Sequence, residues 1–380
     1  MVDEISADLS LSRAAMGSIL GAWAFIYIFT AIPAGALVDR IGLRRSIMVG
    51  ALSIAASLAL RSAAGGAVSL FAAVAVFGVG GPLVSIGTPK LIATLFEQDR
   101  RRLPTGVAVA SPGIGSALGL ALADPVLLPL FDDSWRAVLA LAAVVAVAAA
   151  LYWMWASPDA DQRNVHNRAS GPLVNRSVLG RLARLTSMRW VLFICLFSFA
   201  YGHGLSGWLP EILTDGGQSE NTAGLLSAMT IAVSILGSLV IARLVPDRRR
   251  PAALATVFAI LAMGVIGLNI AATAPLVGVL LVIGFTRAGA IPLMFLELMN
   301  DPDISLSDVG AATGLFFAVG EVGGFFSPWM LGAIAQNQDG FGTATLVLAG
   351  FCLLSLIGSI GLLRFRRNQS VDVVPQVAKT

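Results

Sequence analysis

Apolar runs about one bilayer thick alternate with short polar breaks along this chain. The runs cover residues 16–38, 46–63, 68–92, 105–123, 136–156, 190–212, 222–243, 252–272, 275–298, 309–333 and 343–363. Each is near the roughly 20 residues a helix needs to cross the hydrocarbon core. The pattern predicts an all-α integral membrane protein with eleven spans. One connector is long: residues 157–189 carry Asn, Arg, Ser and Pro and little apolar periodicity. It separates a helical bundle of five spans, 1–156, from a second of six, 190–380, which ends in a short tail.

Composition narrows the class. Of 380 residues 57% are hydrophobic and only 12% charged, with a mean hydropathy of +0.84. Soluble domains carry about 25% charged residues, so this chain cannot cover a water-facing surface, and an ordinary soluble enzyme is excluded. The 40 Gly and 17 Pro suit packed membrane helices, where small residues let backbones approach. Cys195 and Cys352 sit inside apolar runs and read as small core residues. Two Cys and two His build neither a disulfide framework nor a metal cluster, so no metal and no cofactor is expected.

The net charge of +3 would suit nucleic acid, but its placement points to a membrane. Basic residues in short loops mark the cytoplasmic side. Twenty of the 25 Lys and Arg fall on one side, after spans one, three, five, seven and eleven; only Arg13, Arg61 and Arg136 fall on the other. This predicts residues 157–189 and the C-terminus in the cytoplasm and 210–221 outside, in an inner or plasma membrane. The expected partners are the lipid bilayer and a small-molecule substrate, not nucleic acid, and the chain is expected to be a monomer. The loop 299–308 is an exception, cytoplasmic by count yet acidic through Asp301, Asp303 and Asp308.

The halves repeat weakly at an offset of about 207. Ser12 to Gly17 meets Ser219 to Gly224, Thr105-Gly106 meets Thr313-Gly314, and Gly78 meets Gly284. Transporter halves are expected to show such weak symmetry. At this offset, span 190–212 has its partner before Met1. The expectation is therefore a twelve-span protein whose first helix is absent from this chain; the alternative is a genuine eleven-span protein whose short acidic N-terminus crosses the membrane by itself. Met1-Val2-Asp3-Glu4 has no basic region of the kind a cleavable signal needs.

One motif is specific. Gly35-Ala36-Leu37-Val38-Asp39-Arg40-Ile41-Gly42-Leu43-Arg44-Arg45 follows the first span. It resembles the G-x-L-a-D-r-x-G-r-r loop of the major facilitator superfamily, between that family's helices 2 and 3. The resemblance implies two pseudo-symmetric helical bundles and secondary active transport by alternating access. The residues make physical sense by themselves. Gly35 permits close helix contact and Gly42 a tight turn. Asp39 with Arg40, Arg44 and Arg45 can form a charge network that is made in one conformation and broken in another, which is a gate. Charge anchoring alone would not need Asp39.

Other family features are partial. Asp247-Arg248-Arg249-Arg250 is a degraded copy of the loop in the second half. Val74 stands where the family often has Arg, and Ser111-Pro112-Gly113 departs from the drug-antiporter pattern. The stretches Gly87 to Phe96, Arg100 to Gly106, Ser134-Trp135-Arg136 and Trp208-Leu209-Pro210 look like the branch of small-anion and organic-acid porters, of nitrate/nitrite or cyanate/nitroimidazole type.

Polar residues inside the runs are the candidate site. A charge at the bilayer centre costs about 2.5–3.5 kcal/mol on insertion scales and marks function by default. Arg287, mid-span between Gly284 and Gly289, offers a fork of donors matched to carboxylate or nitrate-like oxygens; the structural alternative is pairing with Glu321 or Glu297. Glu321, in Gly320-Glu321-Val322-Gly323, can carry a proton, or can serve as a salt-bridge partner. His203, next to Tyr201 and near Trp208, can switch charge near neutral pH or be hydrogen-bonded to a neighbour. Lys90 is an anion-path candidate or a snorkelling residue. Trp23, Tyr27, Trp208 and Trp329 are cavity walls or belt residues. Substrate-binding roles thus fall to Arg287, His203, Tyr201 and Trp208, and proton coupling to Glu321 and His203. The leading function is secondary transport of a small organic or inorganic anion, as symporter or antiporter. Alternatives are proton-coupled drug efflux, a non-transporting receptor and a membrane enzyme. Against the last, the chain has no Gly-x-Ser-x-Gly, His-Glu-x-x-His or phosphate-binding Gly-rich loop.

Overall fold

A computed structural model of the chain describes residues 2–11, 13–157, 176–268, 273–337 and 340–372. Much of the polar connector, with Arg163 and Arg168, and the final residues with Lys379 lie outside the described residues. Among the described residues there is no strand. The helices run in order as α1 (Val2–Asp8), α2 (Arg13–Ile41), α3 (Leu43–Ser62), α4 (Ala67–Leu95), α5 (Arg102–Leu122), α6 (Leu128–Leu130) and α7 (Trp135–Ala156). They continue as α8 (Arg176–Arg184), α9 (Thr186–Asp215), α10 (Glu220–Leu244), α11 (Arg250–Leu268), α12 (Thr273–Arg287), α13 (Ala290–Met299), α14 (Val309–Asn337) and α15 (Gly342–Asp372).

Ten spans among the described residues are long and apolar enough to cross a membrane. They coincide with ten of the eleven runs. The eleventh, 105–123, is α5, a helix of 21 residues. It passes into one π-helical turn, Ala123–Leu127. Two further departures have local causes. The run 275–298 is broken in two, as α12 and α13. The connector holds a helix, α8, where little periodicity was expected. Val178, Leu179 and Leu182 are its less exposed residues while Arg176, Arg181 and Arg184 are exposed, and a spacing of three to four is the helical period.

The repeat is clear in the helix starts. Arg13 and Glu220, Leu43 and Arg250, Arg102 and Val309, Trp135 and Gly342 each open a helix, 207 residues apart. Packing repeats as well: α2 on α4, α3 on α4 and α3 on α7 in one half, α10 on α12, α11 on α12 and α11 on α15 in the other. Gly78 and Gly284 show why both halves need glycine there. A Cβ on Gly78 would stand 2.6 Å from the Trp23 carbonyl, and one on Gly284 2.5 Å from the Thr230 carbonyl. Even α1 has a counterpart, the last turns of α9. Asp8 accepts from Trp135 Nε1 at 3.2 Å, at the start of α7; Asp215 accepts from the Phe341 N–H at 2.8 Å, just before α15.

The described helices form two compact units. One comprises Met1–Glu97, Ile114–Val178 and Ser305–Glu321; the other comprises Gln98–Gly113, Leu179–Ile304 and Val322–Thr380. Both α5 and α14 are thus divided between the units near their midpoints. The first unit has its core at Tyr27, Ala31, Val38, Leu43, Leu83 and Ile86, with Ala318 from α14 packed among them. In the second, Tyr201, Leu205, Phe258, Leu261 and Leu293 are all buried, and Cys195 and Cys352 lie buried as well.

Candidate functional site

Pro292 makes the first feature of the site. It has no N–H to give the Ala288 carbonyl one turn back, and its ring crowds that carbonyl. The helix ends at Arg287 and restarts at Ala290. Across the gap the Gly289 N–H bonds to the Thr286 carbonyl at 3.2 Å, and the Leu293 N–H to the Gly289 carbonyl at 3.2 Å. Arg287 is therefore the last residue of α12, partly exposed at a break in the middle of a span. Its Nη2 donates to Ser206 Oγ at 2.9 Å and reaches the Gly202 carbonyl at 3.5 Å, both on α9. Pairing with Glu297 does not occur: that carboxylate accepts from Arg366 at 3.1 Å.

A cavity of about 190 Å³ within the second unit opens at this break. Arg287, Ala288 and Ile291 border it on one side, Ser198, Tyr201 and Gly202 on another. Tyr201 is 2% exposed, and its hydroxyl has no hydrogen-bond partner among the described residues. Ser234 and Ser238 also border the cavity. Their hydroxyls donate back to the Ile231 carbonyl at 2.7 Å and the Ile235 carbonyl at 2.8 Å, which leaves their lone pairs free to accept. Among the described residues that line the cavity there is no carboxylate.

The structure brings Arg287 and Tyr201 together but not His203 or Trp208. Helical geometry explains it. Residues two apart point about 200° away from each other, so His203 leaves the Tyr201 face, and Trp208 lies about 10 Å further along the axis. His203 stacks on Phe199, centroids 5.8 Å apart and planes at 17°. Trp208 donates its indole N–H to the Pro328 carbonyl at 2.8 Å, tying α9 to α14. Ser198, three before Tyr201, went unremarked in the sequence, although the helical period around Tyr201 would have found it.

In the first unit Glu321 is 3% exposed and acts electrostatically on the Tyr27 hydroxyl. Trp23 packs its edge against Tyr27 at 6.1 Å, and Phe317 lies 5.6 Å from the same ring. Tyr27 belongs to the core of the first unit, and Trp23 packs against it. Trp329, at 72% exposed, is a surface residue.

The motif loop pairs differently from expectation. Asp39 is held not by Arg40, Arg44 or Arg45 but by an ion pair with Lys90 of α4, itself only 5% exposed. Its second oxygen accepts from the Ala311 N–H at 3.0 Å, in the first turn of α14. An anion is favourable there, because the helix dipole and unsatisfied N–H groups converge. Gly35 and Gly310 allow the approach: a Cβ on Gly35 would lie 2.4 Å from the Gly310 carbonyl. Gly42 turns the chain with φ of 91°, a conformation other residues resist. Arg40 and Arg45 are exposed. Arg44 donates to the Met154 carbonyl, and Trp153 returns a bond to the Arg44 carbonyl at 3.0 Å, so this arginine joins α3 to α7. Lys90, already paired, is not the free cation that an anion path would need.

The degraded copy keeps the same logic in the second unit. Asp247 accepts from Arg102 of α5 at 2.7 and 3.1 Å, as Asp39 accepts from the first turn of α14. The buried Arg250 pairs with Asp247 and donates to the Leu296 carbonyl at 3.0 Å. The acidic loop after α13 meets two arginines: Asp301 accepts from Arg366 at 2.9 Å, and the Asp303 backbone carbonyl from Arg181 at 3.1 Å.

The sequence pattern of the Major Facilitator Superfamily matches residues 1–303. The chain belongs to this superfamily. Among its relatives is the 2-nitroimidazole transporter of Escherichia coli strain K12, 28% identical, with 95% of this chain and 88% of the relative covered. The 4-hydroxybenzoate transporter PcaK of Pseudomonas putida is 25% identical over 93% of this chain and 86% of its own. The crystal structure of the human organic anion transporter MFSD10 superposes with a TM-score of 0.78 at 16% identity, covering 94% of this chain and 88% of that one. At that identity the likeness speaks for the fold, and it is the fold of major facilitator transporters.

Proposed function

We propose that this chain is a secondary active transporter of a small organic or inorganic anion that works by alternating access in a cell membrane. The observation that carries the reading is Arg287: one guanidinium at a break in a membrane span, facing a cavity with no carboxylate on its lining. A cation in that place is costly unless a counter-charge visits it, and a transported anion is such a visitor. The relatives that carry a nitro-aromatic and an aromatic acid support the same class.

In this reading Arg287 and Tyr201 bind substrate, and Glu321 carries the coupled proton. Asp39 with Lys90 and the first turn of α14 forms a cytoplasmic gate that must open in the cycle; Gly35, Gly42, Arg40, Arg44 and Arg45 shape and anchor it. The helices form two bundles, 1–156 and 190–380, joined by a cytoplasmic linker at 157–189. Eleven spans cross the membrane, α5 as the fourth, with the C-terminus in the cytoplasm, and the protein acts as a monomer without catalysing a reaction. Purified protein in liposomes should pass labelled benzoate or nitrite inward under an imposed pH gradient, and Arg287→Ala should abolish the flux. Binding without flux in the wild type would make the protein a receptor instead.

A further inference from the structure

The lining of the cavity at Arg287 narrows the ligand beyond its sign. This step rests on the reading of Arg287 as an anion site. Among the described residues that border the cavity Arg287 is the one cation, and a second negative charge on the ligand would be left there without a partner. Tyr201 supplies a buried hydroxyl with no hydrogen-bond partner among the described residues, suited to a second oxygen of the same carboxylate. Beyond these two groups and the hydroxyls of Ser198, Ser234 and Ser238 the walls are apolar, with Ala110, Ile235, Phe258, Leu261 and Ile291. They cannot satisfy a polyhydroxylated body, whose buried hydroxyls would go unbonded. On the lining of α10, Ser234 and Ser238 have already donated their protons to their own helix. They can only accept, so they suit a hydroxyl or N–H on the ligand.

We propose that the site takes planar monocarboxylates with a compact apolar ring: the carboxylate on Arg287 and Tyr201, the ring among the aliphatic walls, and any ring hydroxyl toward Ser234 and Ser238. Dicarboxylates, sugar acids and uncharged ring compounds are excluded by the same lining. The 190 Å³ of space is enough for one ring of this kind.

The test is calorimetric titration of the purified full chain in detergent with benzoate, 4-hydroxybenzoate, benzamide, tartrate and glucuronate, beside liposome uptake of the same labelled compounds and of nitrite. Benzoate and 4-hydroxybenzoate are expected to bind, the latter more tightly. Benzamide, of the same shape without the charge, should bind at least 100-fold more weakly, and tartrate and glucuronate should not compete. Tyr201→Phe should weaken benzoate by about 10-fold, the loss of one hydrogen bond to a charged group, while Arg287→Lys should weaken it further and keep the fold. Uptake of nitrite or tartrate without benzoate, lost in Arg287→Lys, would overturn the ring-acid class and leave the anion-transport reading standing. Benzamide binding as well as benzoate would overturn the role of Arg287 and both readings. Unchanged benzoate affinity in a folded Tyr201→Phe protein would overturn the placement of the carboxylate.

Discussion

Lys90 and Asp39 hold each other's charge where the fold leaves them little water, at 7% and 14% side-chain exposure. Removing one partner of a buried pair leaves the other uncompensated, at a cost of about 3–5 kcal/mol, whereas replacing both by apolar groups is often neutral. Asp39→Asn and Lys90→Met should each lower the melting temperature and the membrane abundance, and the double change should restore both. A thermal-shift and expression series on the two singles and the double checks this. If each single change behaves like wild type, the pair does not hold that corner together. The pair was illegible in the sequence because its members stand 51 residues apart, and nearer arginines offered themselves first. Arg287 was legible for the opposite reason: one charge in an apolar run is an anomaly that only a site or a partner explains. Tyr201 was found beside His203, yet the hundred degrees per residue of a helix separates the two, and only Tyr201 reaches the cavity.

At the scale of elements, the break at Pro292 sets stability against function. Pro292→Ala would restore an N–H to the Ala288 carbonyl and let α12 and α13 run on as one helix. Proline inside a helix costs about 3 kcal/mol, so this variant should melt higher than wild type. It should also bind substrate worse, since a continuous helix turns Arg287 away from the cavity. Melting curves and benzoate titration on the same preparation check both directions. The α1 helix offers a pH test. A hydrogen bond from Arg136 holds the Asp8 carboxylate below its ordinary pKa, so folding favours its charged form. That contribution is present above the unfolded value near pH 4 and is lost as the pH falls through the lower, folded value. Asp8→Asn should therefore melt below wild type at pH 7, and the gap should close in acid. The pair is exposed and the difference small. Helix positions were largely readable, because apolar runs of bilayer length leave few alternatives. The exceptions had causes below that resolution: one proline splits a run, and the apolar face of α8 is too short to stand out from its arginines.

For the whole molecule, orientation follows from charge. Twenty basic residues on one side against three on the other fix the expected direction, since translocating positive charge is disfavoured. A cysteine at position 217, between α9 and α10, should react with an impermeant thiol reagent applied outside intact cells, and one at position 184 only after permeabilisation; the reverse pattern would invert the topology. Coupling is the remaining property of the whole chain. The two units each hold one of the charges singled out above, Glu321 in one and Arg287 in the other. Linkage requires that if proton binding changes the affinity for substrate, substrate changes the affinity for the proton by the same factor. A neutral Glu321→Gln side chain imitates the protonated state permanently. The variant should bind benzoate and exchange labelled for unlabelled substrate across the liposome membrane, because exchange needs no net proton movement. It should fail to concentrate substrate when a pH gradient is imposed. Wild-type accumulation by Glu321→Gln would remove Glu321 from the proton path, and loss of exchange together with accumulation would assign it to the movement of the bundles rather than to the proton.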